Sequence, residues 1–174
     1  MSSRLVSYER LLEISLPKHQ SAFLWGGRKT GKSTFLKAIF PDSAYKLREE
    51  ILTLPENILA RPIIIDEIQK IPILLDEVHY LIEEKKLQFI LCGSSARKLK
   101  RGGANLLGGR AWGYHFYPLT SKEIKDFDLL KALNNGLLPS HYLSSQYKRS
   151  LKAYVNDYLK EEIQSEGLVR NLPS

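Results

Sequence analysis

Gly26, Gly31, Lys32 and Ser33 stand at a spacing that suits one chemistry, the cradling of a phosphate chain. Glycines let the backbone turn tightly and bring successive N–H groups up to phosphate oxygens with no Cβ in the way. A helix beginning near Lys32 would point its positive end at the same anion. Lys32 is then expected to reach the β- and γ-phosphates, and the Ser33 hydroxyl to complete the shell of a Mg²⁺ ion. Gly26, Gly27, Arg28, Lys29, Thr30, Gly31, Lys32, Ser33 and Thr34 form the expected nucleotide-binding stretch. The plainer alternative is a glycine turn that matches by chance. An apolar run before the loop and a helical pattern after it argue against that.

The loop needs a strand to deliver it and a helix to follow it. Ser21–Trp25 reads as a buried strand, and the helix after the loop is expected to run to about Phe40 and stop at Pro41. Residues 4–15 place Leu5, Tyr8, Leu11, Leu12 and Ile14 at helical spacing, which predicts an N-terminal helix ended by Pro17. Ala44–Arg48 is a weak strand pattern, followed by a helix near Glu49–Leu54 and a connection over Pro55–Arg61. Ile63–Ile65 are three β-branched residues that predict a fully buried strand. Ile73–Lys86 predicts a helix with Leu74, Leu75, Val78, Leu81 and Ile82 on one face. Leu87–Cys92 and Trp112–Tyr117 predict two further strands, with a helical or looped stretch over Ala96–Leu107 between them. From Thr120 onward only helical patterns occur, over Ser121–Phe127, Leu129–Leu133 and Tyr147–Ile163, with breaks at Asn134–Gly136 and Pro139. Gly167–Ser174 supplies no terminating element, so a domain cut short is expected. The alternation of strands and helices predicts an α/β fold with a parallel sheet whose strand ends share one crevice.

Polar residues recur at those strand ends. Asp66 and Glu67 follow the Ile63–Ile65 strand, where acids are expected either for metal chemistry or as favourable charges at a helix N-terminus. Ser94 and Ser95 follow the Leu87–Cys92 strand, where a hydroxyl can orient a lytic water, sense a γ-phosphate or cap the next helix. Arg110 precedes the last strand. It is either a structural loop arginine or a guanidinium delivered to the γ-phosphate of a neighbouring copy. His19, His79, His115 and His141 lack ligand spacing, Cys92 sits inside an expected buried strand, and Trp25 and Trp112 are expected at the core or the pocket edge.

Composition narrows the setting. The 174 residues, 43% hydrophobic and 26% charged, suit one globular domain with a small appendage. One cysteine excludes a disulfide framework and suits a reducing compartment. No signal segment or bilayer-length apolar run is visible, so a cytoplasmic protein without membrane contact is expected. The formal net charge is +7, and Arg97, Lys98, Lys100, Arg101 and Arg110 lie in a stretch free of acids. Residues 97–110 are therefore a candidate DNA contact, or else the lining of a nucleotide site or a solvated loop.

Gly26–Ser33, Ile63–Pro72 with its Asp-Glu-Ile-Gln run, Ile90–Ala111 with Gly-Ser-Ser-Ala-Arg, and Phe116–Ile124 together resemble the AAA-type P-loop ATPases of bacteria and archaea. The closer resemblance is to the branch whose ATPase core precedes an uncharacterised C-terminal domain. It covers roughly residues 1–125, and Ala153–Pro173 resembles the start of that further domain. The resemblance implies a three-layer αβα sandwich with a five-stranded parallel sheet in the order 5-1-4-3-2, with residues 126–174 as a helical tail. It implies ATP and Mg²⁺ as ligands, Asp66 on the metal with Ser33, Glu67 as general base, and Ser94 or Ser95 as the first sensor. By the same resemblance Arg110 falls where an arginine finger would lie, which would require a homo-oligomer. No guanine-reading motif and no second-sensor arginine are present. The expected activity is ATP hydrolysis that moves a C-terminal or partner element. The alternatives are a nucleotide-dependent binding switch without turnover and an inactive fragment of a longer ATPase.

Overall fold

The computed structural model describes residues 8–41, 62–96, 99 and 107–159. The chain divides into two compact units. One comprises Ile14–Arg28 and Lys32–Tyr117; the other joins the N-terminal segment up to Glu13, residues Lys29–Gly31, and the chain from Pro118 onward.

The first unit is α/β. Its strands are β1 (Ser21–Trp25), β2 (Ile63–Ile65), β3 (Phe89–Gly93) and β4 (Ala111–His115). They form one parallel sheet in the order β2-β3-β1-β4. The first three are buried at every position, as strands covered on both faces must be. Phe23, Trp25, Ile63, Ile65, Phe89 and Leu91 join one core cluster with Leu74, Leu75, Val78, Leu81 and Ile82 of helix α2 (Leu74–Lys85). Those five helix residues are the face expected from the sequence. By strand alternation Ala22, Leu24, Ile64, Ile90 and Cys92 point the other way, and they are buried too. Helix α1 (Lys32–Ile39) follows the Gly26–Gly31 loop and buries Phe35 and Leu36, with the Phe35 ring 4.9 Å from that of Phe116.

Several expectations change. Four strands, not five, are present among the described residues, and the order 5-1-4-3-2 is not matched. Residues 42–61, which hold the expected strand Ala44–Arg48, the helix near Glu49–Leu54 and the connection Pro55–Arg61, lie outside the described residues. With that strand left out, the expected order reduces to the one observed. The strand expected at Leu87–Cys92 begins two residues later, at Phe89. Lys86 takes a left-handed conformation that stops α2, and the Leu87 N–H turns back to the Leu81 carbonyl. The last strand begins and ends earlier than Trp112–Tyr117. Because β4 is an edge strand, Trp112 is 45% exposed and is not a core residue, whereas Trp25 is.

The second unit is helical and irregular. No helix forms over residues 8–15. The Leu11 N–H, which a helix would send one turn back, donates instead to Glu123 Oε1 at 2.8 Å. The helix expected over Ser121–Phe127 is reduced to one 3₁₀ turn, Ser121–Glu123, started by a reciprocal capping box between Thr120 and Glu123. Helix α3 (Leu129–Asn135) is capped by Asp128, which accepts from the Lys131 N–H. Pro139, read from sequence as a break, opens helix α4 (Pro139–Tyr142), where its missing N–H costs nothing. Helix α5 (Tyr147–Ala153) continues into a π-helical stretch, Tyr154–Leu159. No helix among the described residues is long and apolar enough to cross a membrane.

Candidate functional site

Because the sheet is parallel, β1, β2 and β3 deliver their carboxyl ends to one edge. At that edge the Gly26 N–H donates to the Gly93 carbonyl at 3.1 Å. A Cβ on Gly26 would fall on the Phe116 carbonyl, so the loop can leave β1 here only as glycine. Lys32 opens α1 and is buried, with its ammonium donating to the carbonyls of Gly26 at 2.5 Å and Gly27 at 3.0 Å. Burial holds the Lys32 pKa below the ordinary lysine value, with Asp66 opposing that shift. An incompletely compensated buried cation is a ready partner for an anion.

Ser33, one residue further along α1, donates to Asp66 Oδ2 at 2.7 Å. The other Asp66 oxygen accepts the Glu67 N–H at 3.0 Å. Glu67 takes a left-handed conformation, φ 55° and ψ 39°, uncommon for a residue with a Cβ. Its carboxylate accepts from Gln69 Nε2 at 2.6 Å, and the same nitrogen lies 3.3 Å from Ser94 Oγ. Gln69 thus ties the second acid to the first serine after β3. Gln69 belongs to the Asp-Glu-Ile-Gln run, whose pattern alone assigns it no role. Its spacing from Glu67 along a 3₁₀ turn was the available signal. Ser95 follows Ser94 and is half-buried; Thr34 is exposed on α1, and Arg28 is exposed at the loop. Cys92 is buried and its thiol is pushed up in pKa by burial, with Asp66 adding to the shift, so it packs and does not react.

Arg110 stands apart. It precedes β4, and its carbonyl accepts the Ser21 N–H at the start of β1. That is the amino-terminal edge of the sheet, not the edge bearing Lys32 and Asp66. Its guanidinium is paired with Glu83, whose pKa it lowers. The sequence placed Arg110 among strand ends facing the same crevice; parallel topology puts it at the opposite one. Of the basic stretch 97–110, positions 97, 98 and 100–106 lie outside the described residues.

A sequence profile described as AAA domain matches residues 18–125, more than half of the chain. The chain belongs to the AAA domain family. Comparison with curated proteins gave no match. Family membership implies an ATPase-type, nucleotide-binding function for this AAA domain. The residues present fit the Mg²⁺ that such a nucleotide carries. Ser33 Oγ and Asp66 Oδ2 are two oxygen donors 2.7 Å apart, the ligand type a hard cation takes. Among the described residues there is no group of three or more His, Cys, Asp and Glu that could hold a metal; a nucleotide-borne Mg²⁺ ordinarily keeps water and phosphate oxygens as most of its ligands.

In the second unit, Lys29, Thr30 and Gly31 meet residues the sequence did not single out. Lys29 Nζ lies 5.9 Å from the centre of the Tyr154 ring, and Tyr154 stands edge-on to His141. Arg10 donates to the Thr30 carbonyl at 2.9 Å and to Glu123 at 2.9 Å. An open cleft of about 780 Å³ is lined by Tyr8, Arg10, Lys122, Asp128, Lys131 and Tyr142, among others. No local spacing announces these contacts, because residues 10 and 123 are 113 positions apart.

Glu123 makes acid stability measurable. Burial raises its pKa, but the N–H groups of Leu11 and Thr120 and the Arg10 guanidinium outweigh that, so it lies below the ordinary carboxylate value. The unfolded chain then binds the proton more readily. This carboxylate's contribution is present above the ordinary carboxylate pKa and is lost as pH falls through the depressed one. In urea titrations, Glu123→Gln should cost about 2 kcal/mol at neutral pH, and the difference from wild type should shrink toward zero near pH 3. A difference that stays constant down to that pH contradicts the assignment.

Proposed function

We propose that the chain binds Mg²⁺–ATP on Gly26–Thr34 and hydrolyses the β–γ bond. The observation carrying this is the meeting of Lys32, Ser33 and Asp66 at one sheet edge, joined by the 2.7 Å Ser33–Asp66 hydrogen bond. In this reading Lys32 turns from the loop carbonyls to the β- and γ-phosphate oxygens, and the backbone N–H groups of residues 27–34 cradle the chain. Ser33 and Asp66 would hold Mg²⁺, which would supply positive charge to those oxygens. Glu67 takes a proton from the attacking water, and Ser94 is favoured over Ser95 as the sensor because Gln69 joins it to Glu67. The test is phosphate release from ATP by purified protein. Wild type should release phosphate and Glu67→Gln should release it far more slowly; equal release by both ends the reading.

Arg110 enters only in trans, since it lies at the far edge of its own sheet. Specific activity should then rise with protein concentration, and Arg110→Ala should abolish the rise. Activity proportional to concentration in both proteins would assign Arg110 to its ion pair with Glu83 alone. A core over residues 1–125 with a tail over 126–174, a cytoplasmic setting, coupling to a C-terminal or partner element, and DNA contact through residues 97–110 belong to the same reading as expectations. A second reading, a binding switch without turnover, draws on Gln69, whose 2.6 Å hydrogen bond occupies the Glu67 carboxylate. It predicts ATP binding with no phosphate release.

A further inference from the structure

Arg10 is a charged residue with little solvent to repay its burial: its side chain is 7% exposed and that of its partner Glu123 is 4% exposed. Burying such a pair contributes little net stability, because desolvation offsets the attraction. Its geometry indicates another use. Glu123 is held by four donors: the N–H of Leu11, the N–H and hydroxyl of Thr120, and Arg10 Nε. That fixes the carboxylate, and the carboxylate fixes the plane of the guanidinium. A planar fork held at Nε has its remaining nitrogens aimed in set directions. Nη1 meets the Thr30 carbonyl at 2.9 Å, and Nη2 lies 3.5 Å from the Pro118 carbonyl.

Thr30 is buried, and no peptide bond described is cis. In a trans peptide the carbonyl of one residue and the N–H of the next point in opposite directions. A hold on the Thr30 carbonyl therefore sets where the Gly31 N–H points. Gly31 is free to be set this way, since its φ of 97° lies in the region that glycine alone enters readily. Its N–H is one of the donors that a phosphate-binding loop turns toward its anion.

We propose that Arg10 is a positioning residue for the phosphate loop: locked by Glu123, it grips the Thr30 carbonyl and so aims the Gly31 N–H at a bound phosphate. This rests on the reading of Gly26–Thr34 as the ATP site. The orientation serves ground state and transition state alike, so its loss weakens nucleotide binding without selecting for the reaction step.

The test uses the full chain and calorimetric titration with Mg²⁺–ATP and with pyrophosphate. Arg10→Met combined with Glu123→Gln removes both charges together and keeps one of the two acceptor oxygens that Leu11 and Thr120 use. It should melt within about 5 °C of wild type and bind both ligands about tenfold more weakly, the loss expected for one misdirected donor to a charged group. The Gly31 amide resonance of the unliganded protein should move. A purely structural role would lower the melting point and leave the affinity of the folded protein unchanged. Arg10→Lys keeps the charge that Glu123 needs but not the fork, and it too should bind ATP several-fold more weakly. A folded double variant with affinity within twofold of wild type overturns the proposal. If that variant does not fold, Arg10→Lys with wild-type affinity does the same. Failure of wild type to bind ATP, or binding insensitive to Lys32→Ala, would sink the ATP-site reading and this proposal together. Lys32-dependent binding indifferent to Arg10 sinks only this one.

Discussion

Lys32→Ala is expected to raise the dissociation constant for Mg²⁺–ATP by on the order of 100-fold or more, nearly 3 kcal/mol, measured by calorimetry. The magnitude follows from what surrounds the ammonium. It is buried, its partners in the loop are two neutral carbonyls, and burial depresses its pKa. A triphosphate would place anionic oxygens directly against this cation and replace hydrogen bonds to neutral oxygens with charge-assisted ones. Thermal melting must accompany the titration, because the same ammonium fastens Gly26 and Gly27. A variant that melts as wild type does and binds ATP with unchanged affinity would remove Lys32 from the phosphate site. Its burial would then have to be explained by the loop carbonyls alone.

Glu67→Gln should lower the rate of phosphate release by about 10²- to 10⁴-fold, the usual contribution of a positioned general base, while ATP affinity stays within about threefold. The split is the informative part. Glu67 sits one residue past Asp66, and its left-handed backbone turns it out of line with the strand. Its carboxylate meets Gln69, whereas Asp66 meets Ser33. The two acids therefore face different partners, one suited to the metal and one to a proton. If Glu67→Gln instead lost affinity and rate equally, the carboxylate would be serving nucleotide binding. If it lost neither, turnover by this site would be excluded.

Several features were legible in the chain because they are local. The glycine spacing at Gly26 and Gly31, the three isoleucines before Asp66 and the apolar stripe on Leu74–Lys85 each depend on a few neighbouring residues. Strand period, helix period and steric freedom act at that range. The family profile over residues 18–125 covers the same motifs. Local pattern misjudged residues 8–15 and 121–127. There helical spacing is real, but a non-local hydrogen bond from Leu11 and a capping box at Thr120 take the backbone groups a helix would use. Pro139 was misjudged for a related reason: the same residue that breaks a helix interior can open a helix, and only the fold chooses.

The sequence by itself determined that a glycine-bounded loop, two acids and a pair of serines follow apolar strands. Tertiary structure alone decided which of them meet. Parallel pairing carries Ser33 to Asp66 across 33 residues and sends Arg110 to the far edge of the sheet. Packing outside the sheet gives the Gly26–Gly31 loop a partner that no motif contains, Arg10 on the Thr30 carbonyl, locked by Glu123. Spacing along the chain fixes chemistry within a turn or two, whereas burial and charge pairing are settled only when distant segments share one interior.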